Sequence, residues 1–595
     1  MNNNSIFAFL EDNYSLSGKS FYFNDHVDEI ITYDSDLLIS DLQKIYSLQQ
    51  QNFYLVGYVS YEASYYFHGI KIKRQITNFP LLHFFAFKKC ETVVSGSLQG
   101  NEQYSENCIN LMCDTLLYSK YQKDYKKIRQ ALLNGDSYQI NYTKRFLLST
   151  SLSASALYHT LKLHQPVEYS ALLSFRSINV LSFSPELFFR KIRDKIFVKP
   201  MKGTAPRFSD KTLDARSYKF LKNDEKNKAE NLIIIDLLRN DLSSFCDTGS
   251  VHVQDAFSIE TYKNVYQMTS GISGKLPINI PFLSILKNLF PCGSITGAPK
   301  HRTMQIINNT ESIRNLYTGC IGYIMPNNDM CFNVAIRTLT QKGKWFESGV
   351  GGGFTVKSKL QDEWEEMDTK LKFLRVCYHP SFHIIETFLY KKCHFCSFNT
   401  HLNRLQDSAK ALYFNVDIMK IKQDLLLYAA KNLIHHSLEL SVKVRIVLDF
   451  FGSYKITHKV FDFNNEPKKI FICPEAIDSS NPLWLHKTDH KNTRGFYNRM
   501  YKKYILNPSD SELVFINNNN HVTESRFFNI IFKLKNKFYT PPPSDGLLPG
   551  IRRAKYLQRN VVQERSITID DLLQSEQIYL INDIRGKIPA TVIQK

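Results

Sequence analysis

The chain has 595 residues, a hydrophobic content of 43% and a formal net charge of +19 at pH 7. That length is too great for one core and predicts two to four domains, and the apolar content is ordinary for a soluble globular chain. The positive charge is spread along the sequence, which argues against a clustered nucleic-acid face and leaves a surface open to small anions; the 11 cysteines, odd in number and scattered, fit reduced thiols in a cytoplasm better than a disulfide framework.

Met1 to Leu10 lacks the basic start and apolar run of a signal peptide. Residues 1 to about 115 read as strands with polar turns. Asp124–Asn134 reads as a helix with Tyr125, Ile128, Ala131 and Leu132 on one stripe, and Gly135 ends it. Asp136–Thr143 follows as a strand, where Gln139 is by default a satisfied polar residue.

The segments 178–183 and 195–199 read as strands, with Lys191-Ile192-Arg193-Asp194 as the turn between them. The expected register sets Glu186 opposite Lys199, with Lys202 about three residues further along. An acid and an amine then converge on one end of one hairpin. Lys202 lies in Val198–Arg207, between a proline that stiffens the strand end and a glycine that lets the backbone pass close to a neighbour. A lone lysine is ordinarily a surface group. A desolvated one is pushed towards its neutral form and can attack carbon.

Residues 224–240 read as an amphipathic helix with Ala229, Leu232, Ile233 and Leu237 apolar. Its run Leu232–Leu238 is far short of a membrane span and is broken by Asp236. Phe290–Lys300 opens a further helix, and Ala335–Thr338 ends a strand. Gly349–Gly353 is not a nucleotide loop; a close backbone approach to a carboxylate is expected there. In the helix that follows, Trp364, Met367, Leu371 and Leu374 form an apolar stripe, with Glu363, Glu366 and Lys370 on one line beside it. On sequence alone that line is a solvated face with a weak Glu366–Lys370 pair. Cys393 and Cys396 form one CxxC without a second pair, too few ligands for structural zinc. The character of the chain changes near Tyr378-His379-Pro380, which divides it into domains of 1–377 and 378–595.

Pro200-Met201-Lys202-Gly203-Thr204 resembles the Pro-x-Lys-Gly-Thr motif of aminodeoxychorismate synthase component I, a family of chorismate-utilising enzymes. In that family the glutamate of Ser-Pro-Glu precedes the lysine by the spacing that separates Glu186 from Lys202. Sister anthranilate synthases carry alanine where Lys202 stands. Gly57–Ala63, Ala229-Glu230-Asn231, Asp236–Leu242 and Phe290–Lys300 are similar to the same family. The resemblance implies Lys202 and Glu186 as catalytic residues. It implies Glu230 and Glu366 as magnesium ligands, with Glu363 assisting through water. It implies Gln139, Thr204, Thr296, Arg337, Gly351 and Lys370 as substrate-binding residues. Isochorismate synthases carry a water-activating lysine where Gln139 stands. An amide is no base near neutral pH, so the incoming nucleophile is expected to be ammonia. Gln267 replaces a histidine common among chorismate enzymes, which leaves the proton work at that corner open.

Ile385-Glu386-Thr387-Phe388 and His401–Leu405 resemble the start of the 4-amino-4-deoxychorismate lyases, of the class IV aminotransferase-like pyridoxal phosphate enzymes. Trp484–Thr488 resembles the segment whose lysine, here Lys487, holds the cofactor. Val522-Thr523-Glu524, with Asn529, resembles the segment whose glutamate faces the pyridine nitrogen. Tyr539–Pro541 and Gly546–Arg552 resemble the phosphate cradle, implying Ile551 and Arg552 there, with Arg404 pairing the phosphate. Asp489 and His490 interrupt the family pattern after Thr488, and both Lys491 and Arg494 are candidates for its basic position.

The resemblance implies an α/β (α+β) two-part chain: a chorismate-utilising fold with large mixed sheets, then a class IV aminotransferase-like fold. The implied activity is synthesis of 4-aminobenzoate, a folate precursor, by magnesium-dependent amination of chorismate and pyridoxal phosphate-dependent loss of pyruvate. No Cys/His/Glu set with a glycine elbow is found, so a separate glutamine amidotransferase subunit is the expected ammonia source. A homodimer through the lyase domain is allowed; no nucleic acid or membrane partner is expected. One rival is an anthranilate synthase-like domain fused to an aminotransferase-like one, against which Lys202 stands. Another is an inactive regulatory scaffold, against which Glu186, Lys202, Glu230, Glu366, Lys487 and Glu524 stand.

Overall fold

The computed structural model describes residues 6–12, 19–72, 79–93, 108–176, 178–262, 265–433, 440–461, 466–505 and 510–593. Parts of the stretch 1–115 read as strands, and the first five residues of the stretch tested for a signal peptide, lie outside them. The chain separates into two units, Met1–Met112 with Lys120–Tyr378, and Cys113–Ser119 with His379–Lys595. No helix among the described residues is long and apolar enough to cross a membrane.

In the first unit, alternating apolar strands join by antiparallel ladders into a large sheet. Its apolar face is rich in aromatic rings, with Phe23, Tyr58, Phe85 and Phe175 in one buried cluster. The helix expected over 124–134 runs Tyr118–Leu133, burying Ile128 and Leu132, and Gly135 leaves it at φ 77°. A helix Leu38–Gln50, which the strand reading of 1–115 missed, packs Leu42 and Ile45 inwards.

The hairpin is real but its register differs from expectation. Its strands are Leu187–Ile192 and Lys195–Lys199, and only Arg193 and Asp194 turn between them, Arg193 at φ 53°. Lys199 pairs with Leu187 after a bulge and forms an ion pair with Glu260, so it does not face Glu186. Lys191 is no turn residue: it is buried and donates Nζ to Asn328 O at 2.9 Å.

The helix expected over 224–240 runs Glu225–Ser243, capped by Asp224, whose carboxylate accepts from Asn227 N. Its buried face is Asn231, Ile234, Ile235, Leu238 and Leu242. The expected stripe is rotated away from it, since Leu232 is 57% exposed and Leu238 2%. Consecutive apolar residues from 232 to 235 leave the face ambiguous until a partner surface is present. Gly349–Gly353 lies inside the strand Trp345–Phe354, paired with Gln139–Thr150 so that Gly351 meets Thr143 and Gly353 meets Asn141. Arg337 falls between the strands Met330–Val334 and Thr338–Lys342, at φ 49°.

A buried ion pair ties three segments together. Arg314 donates Nε to Glu311 Oε2 and Nη2 to Glu311 Oε1, both at 2.9 Å. The same guanidinium donates to Asn141 O at 2.7 Å and to Ile295 O at 3.2 Å. Glu311 accepts from Thr143 N and Oγ1 at 3.1 and 2.6 Å.

The second unit holds an antiparallel sheet of four strands and a mixed sheet of eight, in which Lys468–Ile472 runs parallel to Ser511–Ile516. Residues 113–119 are built into this unit. Ser119 donates N and Oγ to the two Asp407 oxygens at 3.0 and 2.9 Å, and Tyr413 donates its hydroxyl to Asp114. Cys113 Sγ stands 3.6 Å from His486 Nε2.

Arg314→Met leaves Glu311 buried without its partner, and stability is expected to fall by about 3–5 kcal/mol. The measurement is the denaturant midpoint. The paired change Arg314→Met with Glu311→Leu should recover most of the loss.

Candidate functional site

Two sites emerge, one in each unit. In the first, the strand Met201–Pro206 carries Lys202. Gly203, at φ 85°, allows a close approach to the neighbouring helix: a Cβ there would lie 2.9 Å from Asn227 Cγ. Glu186 ends the turn after the strand Ile178–Ser184, with its amide donating to Ser184 Oγ at 3.2 Å.

Ser294 joins the acid and the amine. Its Oγ donates to Glu186 Oε1 at 2.6 Å, and its carbonyl accepts from Lys202 Nζ at 2.9 Å and from Asn141 Nδ2 at 2.9 Å. Burial raises the Glu186 carboxyl above its ordinary value, opposed by the Ser294 bond and the Lys202 charge. Burial lowers the Lys202 amine, opposed by Glu186 and then Glu230. Both groups therefore shift towards their neutral forms. Sequence reasoning missed Ser294. Its contacts span 92 and 108 residues, so no local spacing marks them.

The helix Leu360–Lys370 brings Glu363, Glu366 and Lys370 to the strand that holds Gly351 and Gly352. Lys370 Nζ donates to Gly351 O at 2.8 Å and pairs with Glu366 at 2.7 Å. Lys370 holds the Glu366 carboxyl below its ordinary value. Burial raises Glu363 to about 7, and its Oε2 finds no hydrogen-bond partner. A Cβ on Gly352 would come 3.1 Å from that oxygen, so the expected close approach is to a carboxylate of the chain itself. Glu230, raised by burial, also senses Glu366 and Lys202. Gln139 is buried with its Oε1 unpartnered, against Gly353. Thr296 is buried, and Arg337 is pushed below its ordinary value by burial. Thr204 is exposed, donating to Gln267 Oε1 at 3.0 Å.

Among the described residues no group of three or more His, Cys, Asp or Glu side chains can hold a metal. Magnesium uses one or two carboxylates and keeps several waters, so Glu230 and Glu366, with the orphaned oxygen of Glu363, fit it. They do not fit a cation caged wholly by protein.

In the second unit a cavity of about 580 Å³ is lined by Thr387, Arg404, Lys487, Glu524, Asn529 and Ile551. Lys487 Nζ donates to Thr387 Oγ1 at 2.8 Å and lies 3.6 Å from Glu386 Oε1. Burial lowers the Lys487 amine to about 7 against the pull of Glu386. Arg404 grips Glu386 through Nε and Nη2 at 2.9 and 2.8 Å. Thr387 and Glu386 lay inside a motif read from the sequence, yet their hold on Lys487 appears only across 100 residues.

Glu524 is raised to about 8 by burial; Asn529 Nδ2 donates to its Oε2 at 3.0 Å. Asn529 also donates to Leu548 O at 2.8 Å, and a Cβ on Gly550 would come 2.0 Å from its Oδ1. Ile551 opens the helix Ile551–Gln558 directly after Gly550, while Arg552 donates Nε to Asn582 O at 2.7 Å. Of the two candidates after Thr488, Arg494 lines the cavity, and burial lowers it to about 10. Lys491 offers its carbonyl to Arg499. An acid this buried calls for a positive partner, and a helix opening behind a glycine suits a phosphate, so the donor set fits pyridoxal phosphate.

Residues 383–593 match the family described as amino-transferase class IV. Aminodeoxychorismate synthase of Streptomyces pristinaespiralis is 36% identical over 250 residues, 42% of this chain and 35% of that protein. Aminodeoxychorismate synthase component 1 of Klebsiella aerogenes is 35% identical over 253 residues, 42% of this chain and 56% of that protein. The chain thus spans about half or less of the length of these relatives. The crystal structure of anthranilate synthase component I from Streptococcus pneumoniae shares the fold, with a TM-score of 0.51 at 22% identity over 62% of this chain and 90% of that one. Residues 17–376, over half of the 595, match the family described as chorismate binding enzyme, and the chain belongs to that family, its chorismate-binding fold followed by a class IV aminotransferase fold.

Proposed function

We propose that residues 1–377 aminate chorismate to 4-amino-4-deoxychorismate and that residues 378–595 release pyruvate from it to give 4-aminobenzoate. The observation that carries the first half is the Glu186–Ser294–Lys202 contact, in which burial biases an acid to keep its proton and an amine to lose one. Lys202 adds through its neutral nitrogen to C2 of the ring as the 4-hydroxyl departs, and Glu186 gives that oxygen its proton. Ammonia then bonds to C4 and Lys202 is expelled, restoring the ring double bonds. Ser294 holds the acid and the amine on one residue, so neither drifts before the bond forms. Glu230 and Glu366 would hold magnesium, which supplies positive charge for the ring carboxylate. Arg337 and Lys370 would serve as further carboxylate partners, Thr296, Gly351 and Gln139 would line the substrate side, and Thr204 would contribute through Gln267. A glutamine amidotransferase subunit supplies the ammonia.

Lys487, Glu524, Arg404, Ile551 and Arg552 would hold pyridoxal phosphate, which supplies an electron sink when bound. Lys487, with its lowered affinity for protons, takes the proton from C4 of the substrate as pyruvate leaves. Thr387 and Glu386 aim its amine. Glu524 stands ready to face a positive ring nitrogen.

The deciding experiment gives the purified chain chorismate, magnesium and ammonium, with and without pyridoxal phosphate, and identifies products by mass. The expected products are 4-aminobenzoate with the cofactor and 4-amino-4-deoxychorismate without it. Glutamine should not replace ammonium, and anthranilate as the product would refute the reading. Lys202→Ala should abolish amination, whereas Lys487→Ala should stop the reaction at the intermediate.

Ser294→Ala should lower kcat of the amination about a hundredfold, the scale of a misplaced general acid, with KM for chorismate little changed. Ser294→Thr, which keeps the hydroxyl, should restore most of it. A rise in KM with kcat unchanged would show that Ser294 has no part in aligning the acid.

Glu524 also sets a pH signature. Its folded value near 8 lies above its ordinary 4.5, so the folded cofactor-free chain holds a proton that the unfolded chain has released. Its stability should therefore fall as pH rises from about 4.5 to about 8, and Glu524→Gln should flatten that slope. The readout is Tm against pH for the cofactor-free protein. Saturation with pyridoxal phosphate should flatten it too.

A further inference from the structure

A sulfur lies behind the serine that joins Glu186 to Lys202. Cys292 caps the short turn Gly293–Ile295, and its Sγ stands 3.1 Å from Ser294 Oγ. The Ser294 backbone N–H is directed at the same sulfur. Cys292 is buried, and the turn that carries it is held from both sides. Thr296 donates Oγ1 to Cys292 O at 2.9 Å, and a Cβ on Gly293 would lie 2.5 Å from Leu237 Cδ2. The sulfur therefore has a fixed place against the serine hydroxyl.

Counting protons gives that contact a direction. A serine hydroxyl has one proton to donate and can accept in return. Ser294 spends its proton on Glu186 Oε1, at 2.6 Å. The bond between Cys292 and Ser294 must then be donated by the thiol. When Glu186 carries a proton and offers it to Ser294, the serine proton is free to turn the other way, and sulfur is there to accept it. A thiol can play both parts. The row Cys292–Ser294–Glu186 is thus satisfied whether the carboxyl is protonated or ionised.

The plainest account of Cys292 is a small apolar filler. It explains the burial. It does not explain why the sulfur meets the one hydroxyl that serves the acid. A reactive thiol is a poorer account still, because burial and then Glu186 push Cys292 up to about 12, and a thiol that keeps its proton is no nucleophile.

We propose that Cys292 is a positioning residue for the amination, whose thiol lets the Ser294 hydroxyl turn round as Glu186 passes from acid to carboxylate. It rests on the reading of Glu186 as the acid for the departing 4-hydroxyl. As the C4–O bond breaks, its electron pair stays on the oxygen, which takes the Glu186 proton and leaves as water. The Ser294 O–H then swings from sulfur to Glu186, and the Cys292 S–H swings to Ser294. Neither the O–H nor the S–H bond breaks; each only rotates. A hydrogen bond that ends on a charge is stronger than one between neutral groups, so the row favours the carboxylate and makes Glu186 a better proton donor. Lys202 on the strand Met201–Pro206, Lys370 on the helix Leu360–Lys370 and the Met201 amide also face Glu186, and Lys300 faces Cys292. All of them stay in place when only the sulfur is changed.

The test uses the full chain with magnesium, chorismate and ammonium, and follows kcat of the amination against pH at constant free ammonia. Cys292→Ala should lower kcat about threefold to tenfold, the scale of one hydrogen bond. The fall in rate on the alkaline side, where Glu186 loses its proton, should move up by about 0.5–1 pH, the same factor read as an ionisation constant. Cys292→Ser, which also donates and accepts, should restore most of the rate and return that limb to its place. A packing defect would lower the rate at every pH and leave the limb where it was, and that result overturns the role of Cys292. A second measurement needs no turnover: the infrared band of the protonated Glu186 carboxyl, identified by its loss in Glu186→Gln, is titrated in the parent and in Cys292→Ala. A titration that moves up supports the row even if no amination is found, which would sink only the reaction. Normal amination with an unmoved titration sinks the row and leaves the reaction standing.

Discussion

Removal of charged groups from water governs both sites. In the first unit an acid and an amine are drawn towards neutrality by burial, while their attraction for each other pulls the opposite way. Had attraction won, the chain would hold an inert buried ion pair of carboxylate and ammonium. Burial outweighs that attraction in both shifts, and a hydroxyl and a carbonyl of one serine give each group a hydrogen-bond partner. The second unit repeats the device with different parts: Lys487 is brought to about 7 by burial although Glu386 lies 3.6 Å away. There Arg404, which grips Glu386 at 2.9 and 2.8 Å, adds its own positive charge to the effect of burial on the lysine.

The contrast between the two buried pairs of the first unit follows from their partners. Glu311 and Arg314 are matched fork to fork and satisfied further by backbone, so they serve as a rivet. Glu186 and Lys202 touch through an intermediary and keep capacity to spare. The rivet fixes Asn141 and Ile295, the neighbours of the residue that joins Glu186 to Lys202.

Much of this was legible in the sequence where information is local. The helix before Gly135 and the pairing of Glu366 with Lys370 each follow from spacing within one element, and the stripe of Trp364, Met367, Leu371 and Leu374 is buried as expected although the helix ends at Lys370 and a second, Lys372–Arg375, carries Leu374. The meeting of Glu186 with Lys202 was legible only as a resemblance: the hairpin register that seemed to produce it is shifted, and the bulge before Lys199 turns that residue to Glu260. A bulge leaves no mark in an apolar pattern. The rotated face of Glu225–Ser243 was hidden because four apolar residues in succession suit more than one partner. Ser294 and Arg314 were illegible, since the contacts of each depend on strands and loops distant in the chain.

The seven residues 113–119 have a wider meaning. They belong by packing to the second unit although they are encoded well before the first unit ends. Cys113 stands against His486, which precedes Lys487, and Ser119 is gripped by Asp407. The border between the two units is therefore not a single point in the sequence. A chain begun at residue 379 would therefore lack seven residues that the second unit packs into itself, and would fold with part of its own interior absent.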